Sequence, residues 1–253
     1  MSVEMRGTDV AKAMKEDLIR EVEALKEKGI RPCLAIVRVG ARPDDLAYER
    51  GARKRMELVG IECKVVELAE RICQRELEQT FSEVNEDPDV HGILLFLPLP
   101  GNLDAGPLKA MIDPAKDVDG MSPKNIAKVF AGDESGFAPC TAEAVMEMLH
   151  YYGIDPGGQK VTIVGRSMVI GRPLSMLLLK EHATVTICHT RTADLKEECQ
   201  RADILVAAAG KAGTITEEMA GEGAVVVDVG INVDEEGKLC GDVDYAAAAK
   251  KAS

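Results

Sequence analysis

A short loop between two glycines is the segment of this sequence best suited to chemistry. Gly165 and Gly171 lie in the run VTIVGRSMVIGRP that begins at Val161, and the apolar residues before Gly165 predict a buried strand. Pro173 stands where the first turn of a following helix tolerates proline. Free backbone N–H groups and the positive end of a helix dipole bind phosphate at such a turn. The segment departs from the G-x-G-x-x-G pattern, so a dinucleotide site and simple packing both remain open.

The end of the next predicted strand indicates which dinucleotide would bind. NAD-specific sites usually place Asp or Glu about 20 residues after the glycine loop, where it accepts a hydrogen bond from the ribose 2′-hydroxyl. Here the strand predicted over 183–188 runs into His189-Thr190-Arg191-Thr192, which contains no acid. Arginine and hydroxyl groups would bind a 2′-phosphate that a carboxylate would repel. We therefore predict NADP as the cofactor, with a solvated surface role for Arg191 as the alternative.

The elements that must position these residues alternate between strand and helix. Amphipathic periodicity predicts helices, and short apolar runs predict strands. The predicted helices are 8–28, 42–58, 74–85, 141–152, 171–181 and 194–201, and the predicted strands are 33–37, 63–68, 92–97, 160–164, 183–188, 203–208 and 224–229. Such alternation is typical of parallel sheets covered by helices on both faces. The stretch 113–139 is rich in Gly and Pro and lacks sustained periodicity, so we expect the crossing between domains there.

The predicted fold class is therefore α/β, with two domains, 1–138 and 139–253, and a cleft between them. The second domain is expected to be Rossmann-like and to bind NADP, because it contains the glycine loop. The composition also excludes other classes of protein. A net charge of −12, 3% aromatic residues and no Trp disfavour nucleic-acid partners.

Targeting, membrane and metal functions are also not expected. No apolar run reaches the roughly 18 residues of a membrane span, and the first thirty residues do not form a signal peptide. The seven Cys are scattered without a C-x-x-C pair, and the four His lack metal-ligand spacing. We therefore expect a cytoplasmic protein with free thiols, no protein-held metal, and no membrane partner.

Several motifs together resemble one known family. They are the G-R-S-x-x-x-G-x-P run at 165–173, the segment 189–192, Lys116-Asp-Val-Asp-Gly120 followed by Asn125, Pro139-Cys-Thr141, and Gly241-Asp-Val-Asp244. Over nearly the whole chain the sequence resembles the bifunctional methylenetetrahydrofolate dehydrogenase/methenyltetrahydrofolate cyclohydrolases of the FolD type. The resemblance implies an N-terminal α/β folate-binding domain, a C-terminal NADP-binding domain and a homodimer. It also implies oxidation of methylenetetrahydrofolate with NADP, followed by hydrolysis of the methenyl product to formyltetrahydrofolate.

The resemblance also implies roles for individual residues. Tyr48 would lie over the folate ring and Asp119 would bind the amino edge of the pterin, which makes these two the candidate catalytic residues, while Pro98 would contact the substrate. A carboxylate suits that amino edge because it accepts two parallel N–H donors. A turn role for Asp119 and a plain surface role for Tyr48 are the alternatives. The implied cofactor-binding residues are Gly165, Arg166, Ser167, Gly171, Thr190, Arg191 and Ile231.

Two positions depart from the family pattern. The family has Lys four residues after the Tyr and Gln two residues before the first Pro of Leu-Pro-Leu-Pro, whereas this chain has Ala52 and Phe96. The family assigns that Lys and Gln to water activation and charge stabilisation during hydrolysis. Lys54 would lie roughly 200° around the helix from Ala52. Arg55 is on the correct side but stays protonated.

These departures predict a dehydrogenase with weak or absent cyclohydrolase activity. Hydride transfer depends mainly on positioning, whereas a positioned acid/base contributes roughly 10²–10⁴-fold to hydrolysis. The alternatives are the full bifunctional enzyme, another NADP dehydrogenase of shikimate type, and a non-catalytic regulator that binds folate or NADP. The sequence predicts neither the physiological direction of the reaction nor the preferred length of the folate's polyglutamate tail. Family members also continue past residue 253 with a Pro/Gly-rich loop and a last helix, so we expect that a C-terminal segment is missing from this sequence.

Overall fold

The computed structural model describes residues 3–101, 103–234 and 236–252. Contacts divide them into two compact units, each of α/β class. One unit runs from Thr8 to Ala138. The other begins at Pro139 and includes the described residues up to Gly7. Within the described residues, no helix is both long and apolar enough to cross a membrane.

A three-stranded parallel sheet forms the centre of the first unit. Its strands lie in the order β2-β1-β3, and Val37 of β1 pairs with Leu95 of β3. The segment around Asp117 extends the sheet by a parallel bridge to Ile93. The elements are α1 (Gly7–Glu27), β1 (Cys33–Val39), α2 (Pro43–Val59), β2 (Glu62–Leu68), α3 (Gln74–Glu86), β3 (Gly92–Leu95), α4 (Gly106–Met111) and α5 (Pro123–Ala131).

The two faces of β1 contact different groups. Ala35, Val37 and Val39 belong to the cluster formed with α3 and α4, in which Leu77 and Phe81 are fully buried. The intervening residues project to the opposite face because side chains alternate along a strand. Arg38 is one of these, and it pairs with Glu49 of α2. One face of β1 is therefore apolar, and the other accommodates a buried ion pair.

A four-stranded parallel sheet forms the centre of the second unit, with the strand order β5-β4-β6-β7. The chain passes from β4 to β5 on one side and then returns to β6 on the other side of β4. Ligands of open α/β sheets bind at such a reversal, outside the carboxyl ends of the strands. The elements are α6 (Cys140–Tyr151), β4 (Lys160–Val164), α7 (Gly171–Lys180), β5 (Thr184–Cys188), α8 (Leu195–Gln200), β6 (Ile204–Ala207), β7 (Val225–Asp228), β8 (Asn232–Val233), β9 (Leu239–Cys240) and α9 (Tyr245–Ala248).

The stretch 113–139 is more regular than its composition indicates. It contains α5, which the absence of sustained periodicity did not predict, and that part of the prediction is wrong. Ser122 accepts a hydrogen bond from the Asn125 N–H at 3.2 Å, Pro123 begins the helix, and Gly132 ends it in the left-handed conformation. A nine-residue helix has too few turns to establish a period, so these end signals were the informative ones.

The packing of the first unit's core can be tested by substitution. We expect Phe81→Ala to lower the free energy of unfolding by about 3–5 kcal/mol, because it removes a fully buried ring and leaves a cavity. Phe130→Ala is the matched control, since that ring is 76% exposed, and it should change the same quantity by less than about 0.5 kcal/mol. Urea unfolding followed by circular dichroism measures both. Equal losses would contradict the assigned core.

Candidate active site

Three residues of interest lie at the carboxyl edge of the first unit's sheet. Phe96 directly follows β3, and its N–H donates to the Val37 carbonyl at 2.9 Å. Asp117 is bridged to Ile93, and Asp119 lies in the turn that directly follows this bridge. Tyr48 of α2 contacts Phe96. Carboxyl ends of parallel strands are the usual location of ligand sites in such sheets.

Tyr48 and Phe96 form an aromatic pair. Their ring centroids are 5.3 Å apart, with 66° between the ring planes, which is an edge-to-face arrangement. Phe96 is buried, whereas 64% of Tyr48 is exposed. Pro98, the predicted substrate contact, is exposed and follows a cis peptide bond from Leu97. Tyr48 therefore contacts an apolar ring just after the end of β3.

One departure from the family pattern belongs to this pair, and the other lies on the same side of α2 as Tyr48. Ala52 is one helical turn after Tyr48 on the same side of α2 and is half-buried. Phe96 is the other departure and contacts Tyr48 itself. Lys54 and Arg55 are both exposed. A methyl and a phenyl group thus occupy the positions where the resemblance implies an amine and an amide.

A buried ion pair joins β1 to α2 beneath these residues, and sequence reasoning missed it. The Arg38 Nε donates to Glu49 at 2.6 Å, and another guanidinium nitrogen lies 3.0 Å from the Glu67 carboxylate. Arg38 and Glu49 are both more than nine-tenths buried. Burial pulls the pKa of Arg38 down, but hydrogen bonds with Glu49 and Glu67 outweigh it and leave the pKa above its ordinary value. Arg38 therefore stays a cation.

This ion pair determines what Glu49 can do. Glu49 precedes Ala52 by three residues, so its backbone lies on the same side of α2. One of its oxygens binds Arg38, and the other lies 3.6 Å from an Arg53 nitrogen. Both oxygens of Glu49 therefore already face arginine side chains. An arginine inside the otherwise apolar strand CLAIVRV was the sequence signal that could have revealed the pair.

The Lys116–Gly120 motif contains a structural carboxylate as well as the predicted functional one. Asp117 is fully buried and accepts hydrogen bonds from Met121 N–H at 3.0 Å, Ser122 N–H at 2.8 Å and the Asn125 amide at 2.9 Å. Asp119 is half-buried in the turn that these bonds define. Asn125, which the motif also includes, therefore helps to hold the loop that presents Asp119.

In the second unit, Gly165 and Gly171 are required by close backbone packing. A Cβ on Gly165, whose φ is +141°, would collide with the Ala208 carbonyl, and a Cβ on Gly171 would collide with the Gly165 carbonyl. The loop therefore lies tightly against the end of β6. Both glycines serve packing, but this packing also brings exposed residues 166–169 to the carboxyl edge of the sheet.

The loop that precedes α7 suits an anion. The Ser167 hydroxyl accepts from the Ile170 N–H at 3.1 Å, and the Ser167 carbonyl accepts from the Arg172 N–H at 3.1 Å. Within the described chain, no hydrogen bond engages the backbone N–H groups of Ser167 and Met168. With the exposed Arg166 and the start of α7, these groups offer donors and positive potential to a phosphate.

The loop after β5 presents the residues predicted to bind a 2′-phosphate. The His189 N–H donates to the Thr192 hydroxyl at 2.9 Å, and the Arg191 N–H donates to the His189 ring at 3.1 Å. These bonds close the turn and leave the side chains of Thr190 and Arg191 exposed. The turn contains no carboxylate, so a dianionic phosphate meets no repulsion from it.

Ile231 lies after β7, at the same edge of the sheet, and is 83% exposed. The loops that follow β4, β5, β6 and β7 therefore all lie at the carboxyl edge of the sheet, whose strand order reverses between β4 and β6. The residues predicted for the cofactor are distributed over three of these loops. Among the described residues, no cluster of three or more His, Cys, Asp or Glu side chains could hold a metal ion.

Comparison with known proteins identifies the family of both units. Residues 5–119 match the model for the tetrahydrofolate dehydrogenase/cyclohydrolase catalytic domain, and residues 139–253 match the NAD(P)-binding domain of the same family. A curated relative, the bifunctional protein FolD of Clostridioides difficile (strain 630), is 55% identical over 249 residues, which is 98% of this chain and 87% of the relative.

Solved structures agree in fold as well. The bifunctional FolD enzyme of Campylobacter jejuni superposes with a TM-score of 0.96 at 41% identity, covering 98% of this chain and 88% of that one. FolD of Trypanosoma brucei, complexed with NADP and an inhibitor, gives 0.92 at 36% identity, covering 99% and 88%. With these matches spanning both units, the chain belongs to the tetrahydrofolate dehydrogenase/cyclohydrolase family.

Proposed function

We propose that this enzyme oxidises methylenetetrahydrofolate to methenyltetrahydrofolate with NADP and that its cyclohydrolase activity is weak or absent. The observation that carries the second part is the apolar pair of Ala52 and Phe96 beside Tyr48. The relatives are named as bifunctional proteins, which supports the family's chemistry. Those names carry no information on positions 52 and 96.

The oxidation step needs little from the protein besides positioning. The lone pair of a ring nitrogen would drive hydride departure from the methylene carbon, and bound NADP would supply the hydride acceptor. No protein base is required, so the rate depends on holding the two rings at reacting distance. Tyr48 would pack on the folate ring and Asp119 would accept hydrogen bonds from the pterin. Ser167, Arg166 and the N-terminus of α7 would hold the phosphates.

Hydrolysis of the methenyl product makes a different demand. Water must be deprotonated as it attacks the methenyl carbon, and a proton must reach the ring nitrogen that departs. A methyl at position 52 and a phenyl at position 96 can do neither. Glu49 is held by Arg38, and Lys54 is exposed on another side of the helix. The side of the site formed by α2 and β3 therefore favours release of the methenyl compound intact.

A second candidate is the full bifunctional activity, which the name of the relative at 55% identity favours. It requires a proton-handling group other than those at positions 52 and 96. The homodimer and the cytoplasmic location implied at the level of sequence stay predictions.

The two candidates are separated by restoring the missing groups. We expect wild-type enzyme to form NADPH from methylenetetrahydrofolate but to hydrolyse methenyltetrahydrofolate no faster than buffer does. The double variant Ala52→Lys with Phe96→Gln should increase hydrolysis by about tenfold or more, because it supplies a positioned acid/base and its polar partner. Loss of methenyl absorbance measures hydrolysis.

The control for this experiment is Ala52→Met with Phe96→Leu, which approximates the new side chains in size but adds no proton-handling group. It should leave hydrolysis at the spontaneous rate. NADPH formation by each variant shows that the site is intact. Rapid hydrolysis by the wild-type enzyme would refute the single-activity proposal, and absence of NADPH formation by the wild-type enzyme would refute the dehydrogenase as well.

Preference for NADP over NAD is tested at Arg191. Its guanidinium would make a charge-assisted hydrogen bond to the 2′-phosphate, a contact worth about 1.5–3 kcal/mol. Arg191→Ala should therefore raise the KM for NADP by roughly 10–100-fold while changing that for NAD little. Arg201→Ala, an exposed arginine at the end of α8, serves as the control. Equal changes for the two dinucleotides would contradict a role in 2′-phosphate recognition.

A further inference from the structure

A fully buried carboxylate lies beneath the carboxyl edge of the second unit's sheet. Asp242 is 0% exposed and accepts four hydrogen bonds. One oxygen accepts from the N–H groups of Ala209 at 2.6 Å and Gly210 at 2.9 Å. The other accepts from the Lys211 N–H at 2.8 Å and the Asn232 side-chain amide at 2.8 Å. Three consecutive N–H groups of one loop and one amide of another therefore converge on this carboxylate.

A second carboxylate holds Asp242 in place. Asp228, at the end of β7, accepts from the backbone N–H groups of Asp242, Val243 and Gly230, each at 3.0 Å. The surroundings leave no room for other side chains. A Cβ on Gly230 would collide with the Asp242 carboxylate, and a Cβ on Gly241 would collide with the Asp228 carboxylate. The Gly241–Asp244 motif thus forms a closely packed connection between two loops.

The two loops joined by Asp242 lie at the edge of the sheet where a dinucleotide would bind. Residues 208–211 follow β6 and residues 229–232 follow β7, on one side of the strand-order reversal. The glycine loop and the His189–Thr192 turn follow β4 and β5, on the other side. A dinucleotide lies across such a reversal, with one nucleotide over each half of the sheet. Because the 2′-phosphate belongs to the adenosine half and is predicted beside β5, the nicotinamide half would lie over β6 and β7.

We propose that Asp242 is a positioning residue for the nicotinamide half of the cofactor. It touches neither ring, but it fixes both loops over which the nicotinamide would lie, including the loop that carries the exposed Ile231. The inference rests on the proposed NADP site and is independent of which folate reaction follows. A buried carboxylate suits this role because it accepts several N–H donors at once, and loss of the acceptor leaves them unsatisfied.

Asp242→Asn separates this role from general stability. Asparagine has the same shape, but its NH₂ group faces N–H donors, so part of the four-bond arrangement is lost. Isothermal titration measures binding of NADP and of adenosine 2′,5′-bisphosphate, which carries only the adenosine half. We expect the Kd for NADP to rise about tenfold or more, and kcat to fall by a similar factor, because misplacement of a reacting group is costly. Binding of the bisphosphate should stay at its wild-type value.

Two further variants complete the test. Asn232→Ala removes one donor from Asp242 and should shift NADP binding in the same direction by a smaller factor, which provides a readout if Asp242→Asn does not fold. Asp244→Asn is the matched control, since Asp244 belongs to the same motif but caps α9 through the Ala247 N–H. It should change neither ligand's binding.

The outcomes distinguish the two proposals. If the Asp242 and Asn232 variants weaken NADP and the bisphosphate equally, or weaken neither, then Asp242 does not act on the nicotinamide half. If the wild-type protein binds neither ligand, the proposed NADP site is wrong, and the positioning role falls with it. Selective loss of NADP affinity and of kcat supports the role.

Discussion

The loops of both units depend on buried carboxylates that accept backbone N–H groups. Removing a carboxylate from water is costly unless hydrogen bonds replace the lost solvation. Asp117 and Asp242 obtain those bonds from consecutive loop residues, so each loop adopts the conformation that aims its N–H groups at the oxygen atoms. In both units these loops lie at the carboxyl edge of a parallel sheet, where the ligand sites of α/β proteins occur. The geometry of the candidate sites therefore follows from the placement of two buried charges.

The same D-V-D sequence occurs in each unit. Each D-V-D sequence contains a first Asp that is buried and bound to backbone, and a second Asp that is at least partly accessible. In the first unit the second residue is Asp119, the proposed pterin ligand. In the second unit it is Asp244, which caps a short helix. Similar motifs thus differ in what the accessible carboxylate does.

In the proposed single activity, the side of the site formed by α2 and β3 would lose proton-transfer chemistry without loss of fold. The ion pairs of Arg38 with Glu49 and Glu67 connect β1 to α2 and β2, and neither pair involves position 52. Phe96 fills space beside Tyr48 and keeps that ring edge-on. Positioning is preserved, whereas proton transfer requires specific polar groups that positions 52 and 96 do not supply.

The α/β class, most strands, and the Gly165–Gly171 loop could be predicted from sequence because they depend on local patterns. Apolar runs mark buried parallel strands, and Gly and Pro mark the turns between them. Helix α5 was missed because it is short, although Ser122 and Gly132 signalled its ends.

The amino-acid sequence by itself determined the order of elements and the chemical types available at each strand end, including Ala52, Phe96 and the acid-free turn after β5. Only the tertiary structure decided which carboxylates are already engaged by other protein groups and which can meet a ligand. Arg38 engages Glu49 across eleven residues, and Asp242 engages Ala209 across thirty-three. Long-range contacts of this kind depend on how strands are ordered and which face each side chain occupies, and no local spacing encodes that.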